Sequence, residues 1–309
     1  MTSEFSHLPV LLNECIEGLN IRPDGVYLDG TAGGAGHSCE IARRLTGGKL
    51  FAIDRDPDAI AAATERLAPY PCARVIEGNF SDAKSLLEGL CNGIDGALLD
   101  LGVSSHQLDC AERGFSYMHD GALDMRMSQS GRSAADIVNE LGAVELMQIL
   151  RDYGEEPYAK AIANRIVAAR ENEPITTTTQ LAEIVASALP AAVRRKDKNP
   201  SRRTFQALRI AVNDELGSLS EGLEQIFSML NPGGRFCIIT FHSLEDRIVK
   251  HFFADKATGC TCPPDFPVCV CGRKPQCTLI THKPIVADEN ECESNRRSRS
   301  AKLRIIEKI

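Results

Sequence analysis

Along the first hundred residues, short apolar runs alternate with longer stretches whose apolar positions recur every three or four residues. Val26 to Asp29, Lys49 to Asp54, Ala73 to Glu77 and Ile94 to Asp100 are rich in Val, Ile, Leu, Phe and Ala and are bounded by Gly, Pro or Asp. Such runs predict buried parallel strands. Between them, Ser38 to Leu45 and Pro57 to Leu67 read as helices. The alternation predicts right-handed βαβ crossovers, hence an α/β fold with a doubly wound, mostly parallel sheet and helices on both faces.

The alternation stops after Asp100. From about His106 to Leu216 the period turns helical, in Ser133 to Leu150, Glu155 to Arg170, Thr179 to Leu189 and Arg203 to Leu216. In the third of these, Leu181, Ile184, Val185 and Ala188 share one face. The pattern predicts an all-helical subdomain, 106–216, inserted into a domain made of 1–105 and 217–309. The strand pattern resumes at Arg235 to Phe241, after the turn Asn231-Pro232-Gly233. Thr278 to Thr281 and Lys302 to Ile306 are expected to close the sheet as an antiparallel pair.

With 309 residues, 43% apolar and 25% charged, disordered and collagenous chains are excluded, and both parts can bury a core without disulfides. Glu4, His7, Pro9 and Glu14 interrupt the N-terminal apolar positions. No run of about 18 uncharged apolar residues occurs, so neither a signal peptide nor a membrane span is expected. Of twelve cysteines, Cys15, Cys39, Cys72, Cys91, Cys110, Cys237 and Cys292 are scattered singly, which suggests reduced thiols in a cytoplasm. A net charge of -7 argues against coating nucleic acid through the overall field and leaves room for local basic patches.

Chemistry concentrates where the first strand ends. Asp29 is followed by Gly30-Thr31-Ala32-Gly33-Gly34-Ala35-Gly36-His37-Ser38, a glycine-rich turn into a helix. Glycines let backbone approach a ligand closely, and a helix N-terminus offers free N–H groups. Asp54 closes the second strand, where a carboxylate can bind both hydroxyls of a ribose. A nicotinamide site would need G-x-G-x-x-G, which this spacing does not give, and an acid before the turn would repel a pyrophosphate. The acid suits a cationic sulfonium, so S-adenosylmethionine fits better. The alternative is that Asp29 and Asp54 merely cap strand ends. Phe80 follows the third strand, placed either against an adenine or as a core plug, and Asp100 closes the fourth.

Longer motifs lie in order along the chain: Leu28-Asp29-Gly30-Thr31, Ala52-Ile53-Asp54-Arg55-Asp56-Pro57, Leu99-Asp100-Leu101-Gly102-Val103-Ser104-Ser105, Ala111-Glu112-Arg113-Gly114-Phe115-Ser116, Leu123-Asp124-Met125-Arg126-Met127, Arg203-Thr204-Phe205-Gln206-Ala207-Leu208-Arg209-Ile210 and Phe241-His242-Ser243-Leu244-Glu245-Asp246-Arg247. Together, from about His7 to the C-terminus, they resemble the bacterial small-subunit ribosomal RNA (cytosine-N4)-methyltransferases. The resemblance implies a class I, Rossmann-like, S-adenosylmethionine-dependent methyltransferase acting on the exocyclic N4 amine of a P-site cytosine of 16S rRNA in the small ribosomal subunit. Carried over by position, the cofactor is held by Ala35, Gly36, His37, Asp54, Phe80, Asp100 and Gln107. A non-catalytic ribosome assembly factor on the same fold is the competing reading, and it leaves the glycine turn and strand-end acids without a purpose.

A cytosine amine is conjugated with its ring and is a poor nucleophile, so the nitrogen must be presented in line with the methyl group. Asp100 is one candidate to accept from the amine. Some amino-methyltransferases place two prolines and an aromatic after an acid or amide here, and Asp100-Leu101-Gly102-Val103 departs from that pattern. His242, after the fifth strand, is the second candidate, for substrate orientation or proton removal, with a structural loop histidine as its alternative.

Arg194, Arg195, Lys196, Lys198, Arg202 and Arg203 crowd the end of the helical insertion, and Arg296, Arg297, Arg299, Lys302 and Arg304 form a second group. Both are candidate RNA phosphate contacts, against the plain alternative of a solvated face. Cys260-Thr261-Cys262 and Cys269-Val270-Cys271 have the look of soft-metal ligands, a structural zinc site, although the usual knuckle is C-x-x-C. Free thiols or a redox-sensitive pair are the alternative. The oligomeric state is left open by the sequence, a homodimer included.

Overall fold

A computed structural model describes residues 9–196, 199–262, 268 and 270–309. The chain divides into two compact units, one running up to Gly102 and resuming over Gly217–Ile309, the other Val103–Leu216. Among the described residues no helix is long and apolar enough to cross a membrane.

The first unit is built on seven strands: β1 Val26–Asp29, β2 Lys49–Asp54, β3 Ala73–Glu77, β4 Ile94–Asp100, β5 Leu230–Thr240, β6 Cys277–Leu279 and β7 Lys302–Lys308. Their order in the sheet is β3-β2-β1-β4-β5-β7-β6. The pairs among β1 to β5 are parallel, and β7 runs antiparallel to both β5 and β6. The order reverses between β1 and β4, and open sheets bind ligands at the carboxyl ends of the strands flanking such a reversal.

Alternate residues of each strand enter opposite cores, as a period of two demands. Tyr27, Leu50, Ala52, Leu98, Cys237, Ile239 and Leu303 pack on one face, with Cys15 and Leu19 of helix Leu12–Leu19 and Ile41 of helix Gly36–Arg44. Leu28, Phe51, Ile53, Leu99, Phe236 and Ile238 pack on the other, with Leu223 and Phe227 of helix Glu215–Met229 and Val249 and Phe253 of helix Ser243–Ala257. Each large apolar side chain buried in this way contributes about 1.5–3 kcal/mol. Gly96 is required inside β4, because a Cβ there would stand 2.8 Å from the buried ring of Tyr27.

The second unit is helical, with Ala134–Glu140, Ala143–Gly154, Ala159–Arg170, Thr178–Ala188 and Arg202–Asn213 as its main helices. They enclose Met125, Val138, Leu146, Leu150, Ile162, Leu181, Val185, Phe205 and Leu208. The only β pairing among its described residues is the isolated bridge Ala122–Thr177. The motif Leu123 to Met127 is pinned internally: Asn213 accepts from Met127 N–H at 2.9 Å and donates to the Met125 carbonyl at 2.7 Å. Arg113 donates to the carbonyls of Arg126 and Met127.

Several expected boundaries shift for local reasons. Helix Pro57–Leu67 stands as expected, because Asp56 caps the N–H of Asp58 with Pro57 at the first helical position. The helix expected over Ser133 to Leu150 is two, separated at extended Leu141, with Glu145 reaching back to Gly142 N–H at 2.9 Å to start the second. Glu155 ends that second helix in a left-handed conformation, so the next begins at Ala159 and not at Glu155. Asp214, also left-handed, stops Arg202–Asn213 before Leu216. Helix Leu12–Leu19 has no side-chain cap at Leu11 to signal it.

Candidate functional site

The turn after β1 is held from several sides. Gly30 N–H donates to the Leu98 carbonyl at 2.9 Å and Ala32 N–H to the Ile53 carbonyl at 2.9 Å. The turn is thereby tied to β4 and β2 together. Gly33 and Ala35 both adopt positive φ, 49° and 57°, and Arg66 braces the turn by donating to the Gly34 carbonyl. Gly36 opens the helix against Pro9, where a Cβ would meet the proline ring at 2.3 Å. A side chain at Gly36 would push the turn off its seat.

Three carboxylates end neighbouring strands with unequal partners. Asp29, at the end of β1, is buried and accepts from Ser38 Oγ at 2.5 Å and Thr31 N–H at 3.1 Å. Burial pushes its carboxyl up to about 6, against the opposing effect of those hydrogen bonds. Asp54, half-buried at the end of β2, accepts from Gly33 N–H at 2.8 Å and Asp56 N–H at 2.9 Å. Desolvation raises its carboxyl above the ordinary range.

Asp100 ends β4 and differs from both. Its N–H donates to Thr31 Oγ1 at 2.6 Å, but Oδ1 is buried and has no hydrogen-bond partner among the described residues. Desolvation first, then the charges of Asp29 and Glu245, push its carboxyl up to about 8. His37 Nδ1 lies 3.8 Å from Asp100 Oδ2, yet this is no ion pair. His37 Nε2 stands 3.0 Å from the Val10 carbonyl, which can only accept, so the proton is on Nε2 and the Nδ1 lone pair faces Asp100. Burial lowers His37 to about 4 and keeps it neutral. A strand end with mutually repelling acids and an unpartnered carboxylate oxygen is suited to a cation or a hydrogen-bond donor.

The other candidates divide. Phe80 is half-buried, its ring close enough to Gly222 that a Cβ there would touch it at 2.5 Å, and its own Cβ lies beside the Gly30 position. It is a core plug at the rim of the glycine turn, so the two readings of Phe80 are not exclusive. Gln107 lies in the second unit, in a capping box: Ser104 Oγ accepts from Gln107 N–H at 3.2 Å and Gln107 Oε1 accepts from Ser104 N–H at 2.9 Å.

His242 caps helix Ser243–Ala257. Its Nδ1 accepts from Glu245 N–H at 3.4 Å, while Glu245 Oε2 accepts from Phe241 N–H at 2.8 Å and His242 N–H at 3.3 Å. With Nδ1 accepting, the ring proton resides on Nε2, 3.1 Å from Glu245 Oε1. That Nε2 is buried and makes no hydrogen bond among the described residues, so the capping role of His242 stands beside an unpartnered ring nitrogen. Thr31 and Ser38, which fix the acids, are residues the sequence reading passed over. Their signal was a hydroxyl on either side of the glycines.

Arg194, Arg195 and Lys196 are exposed on helix Ala191–Lys196, and Arg202 and Arg203 are exposed where Arg202–Asn213 begins. Lys198 lies outside the described residues. In the C-terminal group, Lys302 and Arg304 are both committed to Asp246, at 3.2 and 2.7 Å, and so serve the fold before any RNA. Among the cysteines, Cys260, Cys262 and Cys271 come together, while Cys269 lies outside the described residues.

Residues 4–309 match the model of the MraW methylase family. The chain is 54% identical over 310 residues to Ribosomal RNA small subunit methyltransferase H of Lachnospira eligens, covering 99% of this chain and 98% of that protein. It is 55% identical to Ribosomal RNA small subunit methyltransferase H 2 of Agathobacter rectalis, with 99% of each chain covered. To Ribosomal RNA small subunit methyltransferase H of Heliobacterium modesticaldum it is 52% identical, again over 99% of each.

Proposed function

The chain belongs to the MraW methylase family, and from that premise we propose that it is an S-adenosylmethionine-dependent methyltransferase of small-subunit ribosomal RNA. Its target in this reading is the exocyclic N4 amine of a P-site cytosine in 16S rRNA, and it works in the cytoplasm. The observation that carries the reading is the unpartnered, buried Oδ1 of Asp100 at the switch point of the sheet, beside a glycine turn and two further acids. The relatives' names support the RNA, and the N4 atom rests on the resemblance of the chain's motifs to the (cytosine-N4)-methyltransferases.

The donor set fits the cofactor. In this reading Asp54, which accepts from Gly33 N–H, serves a ribose diol, the turn Gly33 to His37 offers backbone at close approach, and Phe80 stands at the rim of the turn. When bound, S-adenosylmethionine supplies an electrophilic methyl group on a positively charged sulfur. The acids at the ends of β1, β2 and β4 favour that charge, and the same charge drives Asp100 toward its ionised form.

The ionised Asp100 then accepts one N–H of the cytosine amine at Oδ1. This would align the nitrogen and raise its electron density toward the methyl group that the bound cofactor would supply, with S-adenosylhomocysteine as the leaving group. The amine proton passes to the carboxylate and on to solvent. A base held within folded RNA must be unstacked to reach such a cleft, and Arg194, Arg195, Lys196, Arg202 and Arg203 are the candidate phosphate contacts. The test is methyl transfer from labelled cofactor to small subunits from a strain lacking the gene, followed by nucleoside analysis. Label in N4-methylcytidine is expected, and label in any other nucleoside would overturn the assignment of the atom.

A further inference from the structure

The chain between helix Ser243–Ala257 and β6 is long and has no helix or strand among its described residues. Loops of this length are uncommon in a folded domain unless something organises them. Among its described residues, Val268 and Val270 are 70% and 73% exposed. The base of the loop is tied by Gln276 N–H to the Lys256 carbonyl at 2.8 Å and by the Arg273 guanidinium on Asp255.

We propose that Cys260, Cys262 and Cys271 form a thiolate site for a zinc ion that organises this loop. Their sulfurs all lie within 4.8 Å of one another, and Cys260 Sγ is 3.6 Å from Cys271 Sγ. With a zinc–sulfur bond of about 2.3 Å, the edge of a tetrahedron is about 3.8 Å, so this separation is the span of one ion. A disulfide needs about 2.0 Å between sulfurs. Soft sulfur donors select zinc over hard cations.

Two local features support the site. Val270 N–H donates to Cys262 Sγ at 3.4 Å, the outer hydrogen bond that steadies a ligating thiolate. Gly272, at φ 63°, directly follows Cys271 and turns the chain where a ligand must double back toward Cys260. Cys277, although near in sequence, is buried and its Sγ points to the Phe253 carbonyl, so it belongs to the core and not to the site. The proposal is independent of the methyl-transfer reading, and its test does not use activity.

The full chain, purified without chelator and under reducing conditions, is analysed for metals, then stripped and reloaded with cobalt(II). About one zinc per chain is expected, with a thiolate-to-cobalt charge-transfer absorption after exchange. Cys260→Ser and Cys271→Ser should each cut bound zinc by about tenfold or more, while Cys91→Ser, outside the loop, keeps it. Stripping should also speed tryptic cleavage after Arg273, and added zinc should reverse this. Should the serine variants misfold, that protection in the unaltered chain still tests the site. Zinc below about a tenth of an equivalent in the unaltered chain even after reloading, zinc retained by the double serine variant, or iron with sulfide in its place would overturn the proposal.

Discussion

The ends of β1 and β4 carry the same side chain on adjacent parallel strands, and they do different things with it. Asp29 has both oxygens engaged, by Ser38 and Thr31, within its own turn. Asp100 gives its N–H to the same Thr31 but leaves Oδ1 without a partner and about a quarter of its side chain open. A buried acceptor that is satisfied holds structure, whereas one left unsatisfied raises the energy of the folded state until a ligand donates to it. Asp29 is accordingly a brace for the glycine turn, and Asp100 is the acid that the proposed reaction uses.

The sharpest way to break this contrast is to remove the charge at each position. Asp100→Asn keeps the shape and an accepting oxygen but removes the charge and the site that takes up the proton, and single-turnover methyl transfer should fall by about 10²-fold or more. Equal activity would end the case for Asp100. Next in size, Asp54→Ala should weaken cofactor binding by roughly ten- to a hundredfold in calorimetric titration, from loss of charge-assisted hydrogen bonds to a ribose. Normal binding would show that the ribose sits elsewhere.

Asp29→Ala, by contrast, should register in stability. It strands the Ser38 hydroxyl and the Thr31 N–H, at a cost of about 1–3 kcal/mol in urea denaturation. Asp100→Asn should register in how stability depends on pH. The Asp100 carboxyl titrates near 8 in the fold against an ordinary value of 3.8. Its protonated form therefore favours the folded chain, a contribution complete at low pH and lost as pH rises through about 8. The asparagine variant should gain on the unaltered chain between about pH 4 and pH 8, and a constant difference in melting temperature across that range would count against it. Smallest of all, replacing Arg194 and Arg195 by alanine should lower the salt dependence of RNA binding by roughly one unit of slope per cation. An unchanged slope would leave them a solvated face.

Much of the sheet was legible because its strands are buried on both sides and so read as continuous apolar runs, as in Leu50 to Ile53 and Ala97 to Leu99. Helix Pro57–Leu67 was legible to the residue because Asp56 and Pro57 carry its start signal. Helix Leu12–Leu19 was not, since its start depends on the left-handed backbone of Leu11 and on Glu291, distant in sequence, which accepts the Leu11 N–H at 2.8 Å. The strand-end acids were visible as a set. What separates Asp29 from Asp100 is a serine one helical turn away and a threonine shared between strands, and such partners exist only after folding. His242 followed the same rule: its spacing to Glu245 is that of a capping box, with an imidazole where serine or threonine usually stands.

The most direct test of the contrast is the pH dependence of single-turnover methyl transfer, measured over roughly pH 6 to 9 for the unaltered chain and for Asp100→Asn. In the proposed reaction the ionised Asp100 is the active form, so the rate should climb with pH and level off at or below about 8, and the variant should be slow and flat. A rate independent of pH in the unaltered chain, or a slope retained in Asp100→Asn, would contradict the assignment of the amine's acceptor to Asp100.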